Sequence, residues 1–243
     1  MAEPLLQVRG VRAGYGDVPV LWGIDLDVQR GEIACLVGSN GAGKTTLMRT
    51  LSGLVRASAG SIVFDGRELA AAEPEQVLAA GLAQVPEGRR LFSAMSIRDN
   101  LLMGAYLRRD GAIAADLARM FALFPILAER QNQAAGTLSG GEQQMCAIAR
   151  GLMSAPRMLL IDELSLGLAP AVVDQLCDAL RALNHDGLTL LVVEQDVAIA
   201  LELARHAFAM DTGRIVRAGE SATLANDPAI REAYLGAAQG PAF

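Results

Sequence analysis

The run Gly38-Ser-Asn-Gly-Ala-Gly-Lys-Thr45 constrains this chain more than any other stretch, because of what stands on either side of it. Ile33 to Val37 is an unbroken apolar run with the character of a fully buried strand. Lys44 to Leu51 has helical periodicity and stops at Ser52-Gly53. The spacing G-x-x-x-x-G-K-T between a strand and a helix is that of a phosphate-binding loop. Its glycines let backbone N–H groups converge on phosphate oxygens, and the helix N-terminus adds positive potential. Gly38, Ser39, Asn40, Gly41, Ala42, Gly43 and Thr46 are expected to form the cradle. Lys44 is expected to reach the β and γ phosphates, and the Thr45 hydroxyl to hold Mg²⁺. A glycine-rich turn that merely joins strand to helix is the competing reading, and it gives no account of the Lys-Thr pair.

Around this loop the pattern alternates. Strand signals occur at Leu6 to Val11, Ile24 to Val28, Ser61 to Phe64 and Leu82 to Val85. From about residue 96 to 154 the periodicity is helical throughout, which marks an insertion. Strands return at Met158 to Ile161, Leu188 to Val193, Ala207 to Met210 and Ile215 to Val216, with helices Ala171 to Leu183 and Val197 to Ala204 between them. The expected fold class is α/β: a mixed or parallel sheet with N-terminal antiparallel strands and an inserted α-helical subdomain. A length of 243 residues suits one such unit. Residues 1–87 and 156–243 are expected to form the core and 88–155 the helical part.

Several classes are disfavoured. A formal charge of -6 argues against a nucleic-acid partner. Cys35, Cys146 and Cys177 lie far apart in apolar patterns, without metal or disulfide spacing, which suits a reducing cytoplasm. The N-terminus lacks the features of a signal peptide, and the longest apolar candidate, Phe121 to Ala128, contains a proline. Any membrane role is therefore expected to come through a partner.

Three further stretches carry chemistry. Met158 to Glu163 is an apolar strand ending in two acids; Asp162 is expected to meet the cation through water, and Glu163 to act on an attacking water. Leu138-Ser-Gly-Gly-Glu-Gln-Gln144 contains a capping box, Ser139 to Glu142, ahead of a helix. Capping alone gives no reason for Gly140 and Gly141, whereas close approach to an anion does, and both readings hold together. Leu190 to Val193 reads as a core strand that ends in Glu194, Gln195 and Asp196. Asp196 is the expected N-cap of the next helix, and Glu194 is expected to face the helix layer or solvent without a catalytic role.

With the phosphate loop, the Leu-Ser-Gly-Gly signature and the Asp-Glu strand in this order, the chain resembles the ABC ATPases over essentially its whole length. The resemblance implies a RecA-like core of the P-loop NTPase type that binds and hydrolyses ATP with Mg²⁺. It implies that Gln84 ligates Mg²⁺ and senses a transmembrane partner, and that Tyr15 stacks on adenine. It also implies a head-to-tail pair, in which Ser139, Gly140 and Gly141 of one cassette close over the nucleotide of a second ATPase subunit. Val85-Pro-Glu-Gly-Arg-Arg-Leu-Phe92 and Ser165-Leu-Gly-Leu-Ala-Pro170 are similar to one importer branch, that for branched-chain amino acids and related polar solutes. The implied partners are transmembrane permease subunits, a second and different ATPase, and an extracytoplasmic solute-binding protein. The implied location is the cytoplasmic face of the membrane.

In that pattern Gln195 occupies the place of a histidine that contacts the γ-phosphate. An amide can donate there but does not titrate near neutrality. Arg89 and Arg90 are expected either to line the permease-facing surface or to be solvated charges at a helix start. Leu164 stands where a proline is common, and Ala169 where an aspartate of the dimer-contact loop is common. Alternatives remain: an ATPase for urea, another amide or an exporter, or a non-transport ABC protein. A P-loop kinase or GTPase gives no role to Leu138 to Gln144.

Overall fold

The chain begins with a long antiparallel hairpin, β1 (Leu6–Tyr15) and β2 (Val18–Val28), in a computed structural model that describes residues 3–230. There follow β3 (Ile33–Val37), α1 (Lys44–Leu51), β4 (Ala59–Phe64), β5 (Arg67–Glu68), α2 (Pro74–Ala79) and β6 (Leu82–Val85). The helices α3 (Ile97–Gly104), α4 (Ile113–Leu123), α5 (Pro125–Glu129) and α6 (Gly140–Leu152) come next. The chain then returns through β7 (Met158–Asp162), α7 (Pro170–His185), β8 (Thr189–Glu194) and α8 (Val197–Leu203). It continues with β9 (His206–Asp211), β10 (Arg214–Glu220), α9 (Ser221–Leu224) and α10 (Pro228–Ile230). The expected unit runs to residue 243, and its stretch beyond 230 lies outside the described residues.

Two sheets result. The smaller is antiparallel in the order β2-β1-β4-β5, and the larger has the order β10-β9-β3-β8-β7-β6. Strand β3 pairs in parallel with both β8 and β9, and β7 pairs in parallel with both β6 and β8, while β10 runs antiparallel to β9. Because β3, β7 and β8 are covered on both faces, β3 and the stretches Met158 to Ile161 and Leu190 to Val193 are apolar rather than alternating. Cys35, Ile161 and Val192 face the core shared with α3 to α8, while Leu36, Leu160 and Leu191 face the core shared with the small sheet and α1.

The hairpin is longer than the sequence pattern suggests. Its alternation is broken by register shifts between Val8 and Val11, between Val11 and Arg12, and between Ala13 and Gly14, and the ladder continues past them to place Tyr15 at the tip. Strand β10 is longer than expected too, because its largely exposed face carries no apolar signal. The segment Pro74–Ala79 is a helix that the sequence reading left unassigned. The helix expected over Ala171 to Leu183 runs from Pro170 to His185. Pro125 stands at the first position of α5, so the run from Phe121 to Ala128 is two helices that turn at buried Phe124. Among the described residues no helix is long and apolar enough to cross a membrane.

One buried amide organises the passage from β6 into the helices. Asn100 on α3 is fully buried; its Nδ2 donates to the carbonyls of Phe92 and Ser96 at 3.0 Å, and its Oδ1 accepts from the Phe92 N–H at 2.9 Å. An Asn100→Leu substitution keeps the branched shape but adds bulk and leaves buried backbone groups unpaired. It is expected to destabilise the fold by about 2–4 kcal/mol. Thermal melting checks this: a chain of this size is expected to lose roughly 2–4 °C for each kcal/mol.

Candidate active site

The carboxyl ends of β3, β7 and β8 meet at one edge of the large sheet, the edge at which open α/β sheets bind ligands. From Val37 the chain passes through the glycine-rich loop into α1, whose N-cap Gly43 has φ 105°, a conformation that excludes most side chains. Lys44 is buried, and its Nζ donates to the carbonyls of Gly38 at 2.7 Å and Ser39 at 3.0 Å. Burial lowers its pKa, and the charges of Glu163 and Asp162 oppose that shift. Asn40, Gly41, Gly43, Lys44, Thr45 and Thr46 line a cavity of about 560 Å³ together with Glu163 and Gln195. Tyr15 stands beside α1, nearly half exposed at 46%, with its hydroxyl accepting from Arg49 Nη1 at 3.2 Å. That leaves ring surface open near the loop.

Asp162 ends β7 with both carboxylate oxygens buried and without a hydrogen-bond partner among the described residues. Burial pushes its pKa up to about 6, the nearby Thr45 hydroxyl restraining the shift. Glu163 follows with φ 58°, in the left-handed region, and its N–H donates to the Val193 carbonyl at 3.0 Å. Its Oε1 accepts from the Gln195 amide, and its Oε2 is buried without a hydrogen-bond partner among the described residues. The sequence-predicted groups Lys44, Thr45, Glu163 and Gln195 therefore share one cavity.

Of the two expected placements for Glu194, the structure shows the helix-layer side of β8, in step with Leu190 and Val192, and not solvent: it is 2% exposed, and its carboxylate accepts from Ser165 N–H at 2.7 Å, Ser165 Oγ at 2.9 Å and Gln195 N–H at 3.2 Å. Burial raises its pKa, and these hydrogen bonds hold the rise back. Asp196 caps α8 as expected, accepting from Ala198 N–H at 3.0 Å and Ile199 N–H at 3.2 Å. Val20, Glu87 and Leu166, which the sequence reading did not select, also line the cavity.

The signature residues lie elsewhere. Ser139 caps α6, accepting from Glu142 N–H at 3.4 Å while Glu142 Oε2 accepts from Ser139 N–H at 2.8 Å. Gly141 has a structural reason the sequence reading did not supply: a Cβ there would stand 2.5 Å from Val172 Cγ1 of α7. The lining of the phosphate cavity does not include Ser139, Gly140 or Gly141. The Arg89 guanidinium lies across Gly140, donating to Gln144 Oε1 at 3.3 Å and to the Leu166 carbonyl at 3.4 Å, so Arg89 is not a solvated helix-start charge. Leu164 is fully buried in the helical-side core, and Ala169 stands just before Pro170, the first residue of α7.

Gln84 lines a second, largely apolar groove between the sheet and the helical segment, in company with Leu54, Phe92, Tyr106 and Arg150. Its Oε1 is buried without a hydrogen-bond partner among the described residues. At the end of the neighbouring strand β7, the Asp162 carboxylate, beside the Thr45 hydroxyl, and Glu163 Oε2 are likewise buried without a hydrogen-bond partner among the described residues. Hard oxygen donors of this kind fit a magnesium ion.

The sequence profile of the ABC transporter family matches residues 21–165. The chain is similar to the high-affinity branched-chain amino acid transport ATP-binding protein BraG of Pseudomonas aeruginosa, with 43% identity over 96% of this chain and 100% of that protein. It is similar in structure to an ATP-binding cassette of an ABC transporter, with a TM-score of 0.86, 24% identity and coverage of 96% and 99%. A dimeric post-hydrolysis state of an ATP-binding cassette bound to ADP and Pi matches with a TM-score of 0.80 and 20% identity, over 89% of this chain and 98% of that one.

The buried Asp162 carboxyl carries a stability cost with a definite sign. Its pKa rises on folding from 3.8 to about 6, so the folded state holds the proton more tightly. Stability is therefore greatest below the unfolded value and falls as pH rises towards 6, by the order of 3 kcal/mol for such a shift. In metal-free buffer Asp162→Asn is expected to exceed the wild type in urea resistance at pH 8 and to match it near pH 4. An equal difference at both pH values would contradict the assignment.

Proposed function

The chain belongs to the ABC transporter family of ATP-binding subunits, and from that premise we propose that it powers an importer of branched-chain amino acids or related small polar solutes. The observation that carries the hydrolytic part is the convergence of Lys44, Thr45, Glu163 and Gln195 on one cavity at a phosphate-binding loop. The solute class is supported by the similarity to BraG. In this reading residues 1–87 and 156–243 are the catalytic core, and 88–155 is the helical subdomain with the signature.

ATP occupies the cavity with its phosphates on the loop, and Lys44 exchanges the carbonyls of Gly38 and Ser39 for phosphate oxygens. Tyr15 supplies a ring for adenine. Thr45, Asp162 and Gln84 would hold Mg²⁺, which would neutralise developing phosphate charge. Glu163 orients the attacking water and takes its proton, using the oxygen that Gln195 leaves free. Gln195 is the uncharged sensor: its amide holds Glu163 when no phosphate is present and turns to the γ-phosphate when one is.

Ser139 is exposed and Gly140 only half-buried at the N-terminus of α6, away from the chain's own phosphate cavity, which suits closure over the nucleotide of a partner cassette. That a cassette of the same fold is dimeric supports the pairing of two cassettes. That partner is expected to be a second, different ATPase. The groove beside Gln84 exposes Tyr106 at 68%, Leu54 at 60% and Phe92 at 47%, apolar area suited to a helix from a permease subunit. The chain then works at the cytoplasmic face of the membrane, and the extracytoplasmic binding protein selects the solute.

Glu163→Gln is expected to leave ATP binding within about threefold of wild type and to lower turnover in the assembled transporter by about 10²–10⁴-fold. Near-wild-type hydrolysis would refute the assignment of the base. Tyr106→Asp is expected to abolish co-purification of the membrane subunits while ATP binding by the full chain stays unchanged. Retained co-purification would remove the groove from the permease interface.

A further inference from the structure

Strand β8 is apolar and buried from Leu190 to Val193, yet it closes on a carboxylate that is itself buried. Burying such a group costs several kcal/mol unless its oxygens are satisfied, so its partners indicate what it is there to hold. Those partners belong to two segments. One is the turn that leaves β7, through Ser165 N–H and Oγ; the other is the N–H of Gln195. Glu163 lies two residues before Ser165 in that turn and is bonded by the Gln195 side chain.

We infer that Glu194 is a positioning residue for hydrolysis: its buried carboxylate fixes the Ser165 turn and the Gln195 backbone, and through them the direction of the Glu163 carboxylate. The inference rests on Glu163 being the water-orienting base of the proposed function. The geometry explains why such an anchor is needed. Glu163 sits in the left-handed region, φ 58°, where a side-chain-bearing residue persists only when its surroundings over-determine it. Two bonds to consecutive residues of β8 supply that: Glu163 N–H to the Val193 carbonyl, and Ser165 to the Glu194 carboxylate. The first locates the turn along the strand. The second fixes its rotation about that point, and with it which Glu163 oxygen faces Gln195 and which is left for water.

The phosphate loop and α1 make no bond to this carboxylate, so its loss acts on chemistry rather than on nucleotide binding. A misplacement of roughly 1 Å at a reacting group costs about 10²-fold. Glu194→Leu puts an apolar side chain in the same buried place and removes every acceptor. It is expected to lower kcat for ATP in the assembled transporter by about 10²-fold while KM rises by no more than about threefold. Glu194→Gln retains an acceptor for Ser165 N–H and a donor for Ser165 Oγ, and is expected to return kcat to within about tenfold of wild type. Ser165→Ala removes one bond and leaves the buried charge in place, so it separates positioning from electrostatics. It is expected to lower kcat by about three- to tenfold with KM unchanged.

If Glu194 acts through Ser165, Glu194→Leu with Ser165→Ala is no slower than Glu194→Leu alone. Wild-type kcat in Glu194→Leu, equal kcat in Glu194→Leu and Glu194→Gln, or multiplying losses in the double variant would each overturn the inference. Should Glu194→Leu fail to fold, Ser165→Ala decides alone, and wild-type kcat there is the contrary result. Glu163→Gln in the same preparation separates the two readings: if that variant hydrolyses normally, the proposed base is wrong, whatever Glu194 does.

Discussion

Three ionisable side chains, Lys44, Asp162 and Glu194, are buried at the carboxyl edge of one sheet, and much of the surrounding structure is arranged around them. Apolar strands on both faces create the low-dielectric setting, and each charge meets it differently. Lys44 takes two carbonyls of its own loop, Glu194 takes three donors from neighbouring turns, and Asp162 takes none of good geometry. The last carries the largest penalty and has the most to gain from a cation. In stability terms, the protein holds an unfavourable buried carboxylate at this edge, as binding sites commonly do.

The fold was legible where physics repeats along the chain. The buried strands from Ile33, Met158 and Leu188 and the loop from Gly38 are recognisable because burial on both faces forces continuous apolar runs, and phosphate binding forces glycine and lysine at fixed spacing. It was less legible where a strand bends or turns a face to water. Bulges hid the length of β1 and β2, and exposure hid that of β10. Among site residues the same division holds. Lys44, Thr45, Asp162 and Glu163 lie in local motifs. Glu194 gave a signal of its own, a carboxylate at the end of a core strand, but its meaning depends on Ser165, which only the pairing of β7 with β8 brings near.

Arg89 and Arg90 illustrate a constraint no pattern of charge reveals. Both adopt positive φ, 64° and 47°, at about 1–2 kcal/mol each. Arg150 of α6 holds that backbone by donating to the carbonyls of Arg89 at 2.9 Å and Arg90 at 2.8 Å, with its guanidinium over the Phe92 ring at 5.7 Å. The twisted segment sends Arg89 inward to Gly140 and Leu166 and leaves Arg90 on the apolar groove. A single peptide step thus joins the surface proposed for the permease to the start of the signature helix. The glycines of that helix answer partly to this packing, with Gly141 against Val172 and Gly140 beneath Arg89.

The amide at residue 195 acquires its meaning from the same edge. A histidine there would bring a proton whose occupancy depends on pH near neutrality, beside a carboxylate it already touches. Glutamine offers one donor that is always present and one acceptor that is never charged. Bonded to Glu163, it leaves that carboxylate one oxygen without a partner among the described residues; in the proposed function, turning towards phosphate releases the other. Glu194 fixes the backbone N–H of Gln195, so this choice is made by side-chain rotation alone, with the strand end held still. In the proposed function the two hydrogen-bonded states differ by exchange of one neutral donor between two oxygen acceptors, which the binding of phosphate biases.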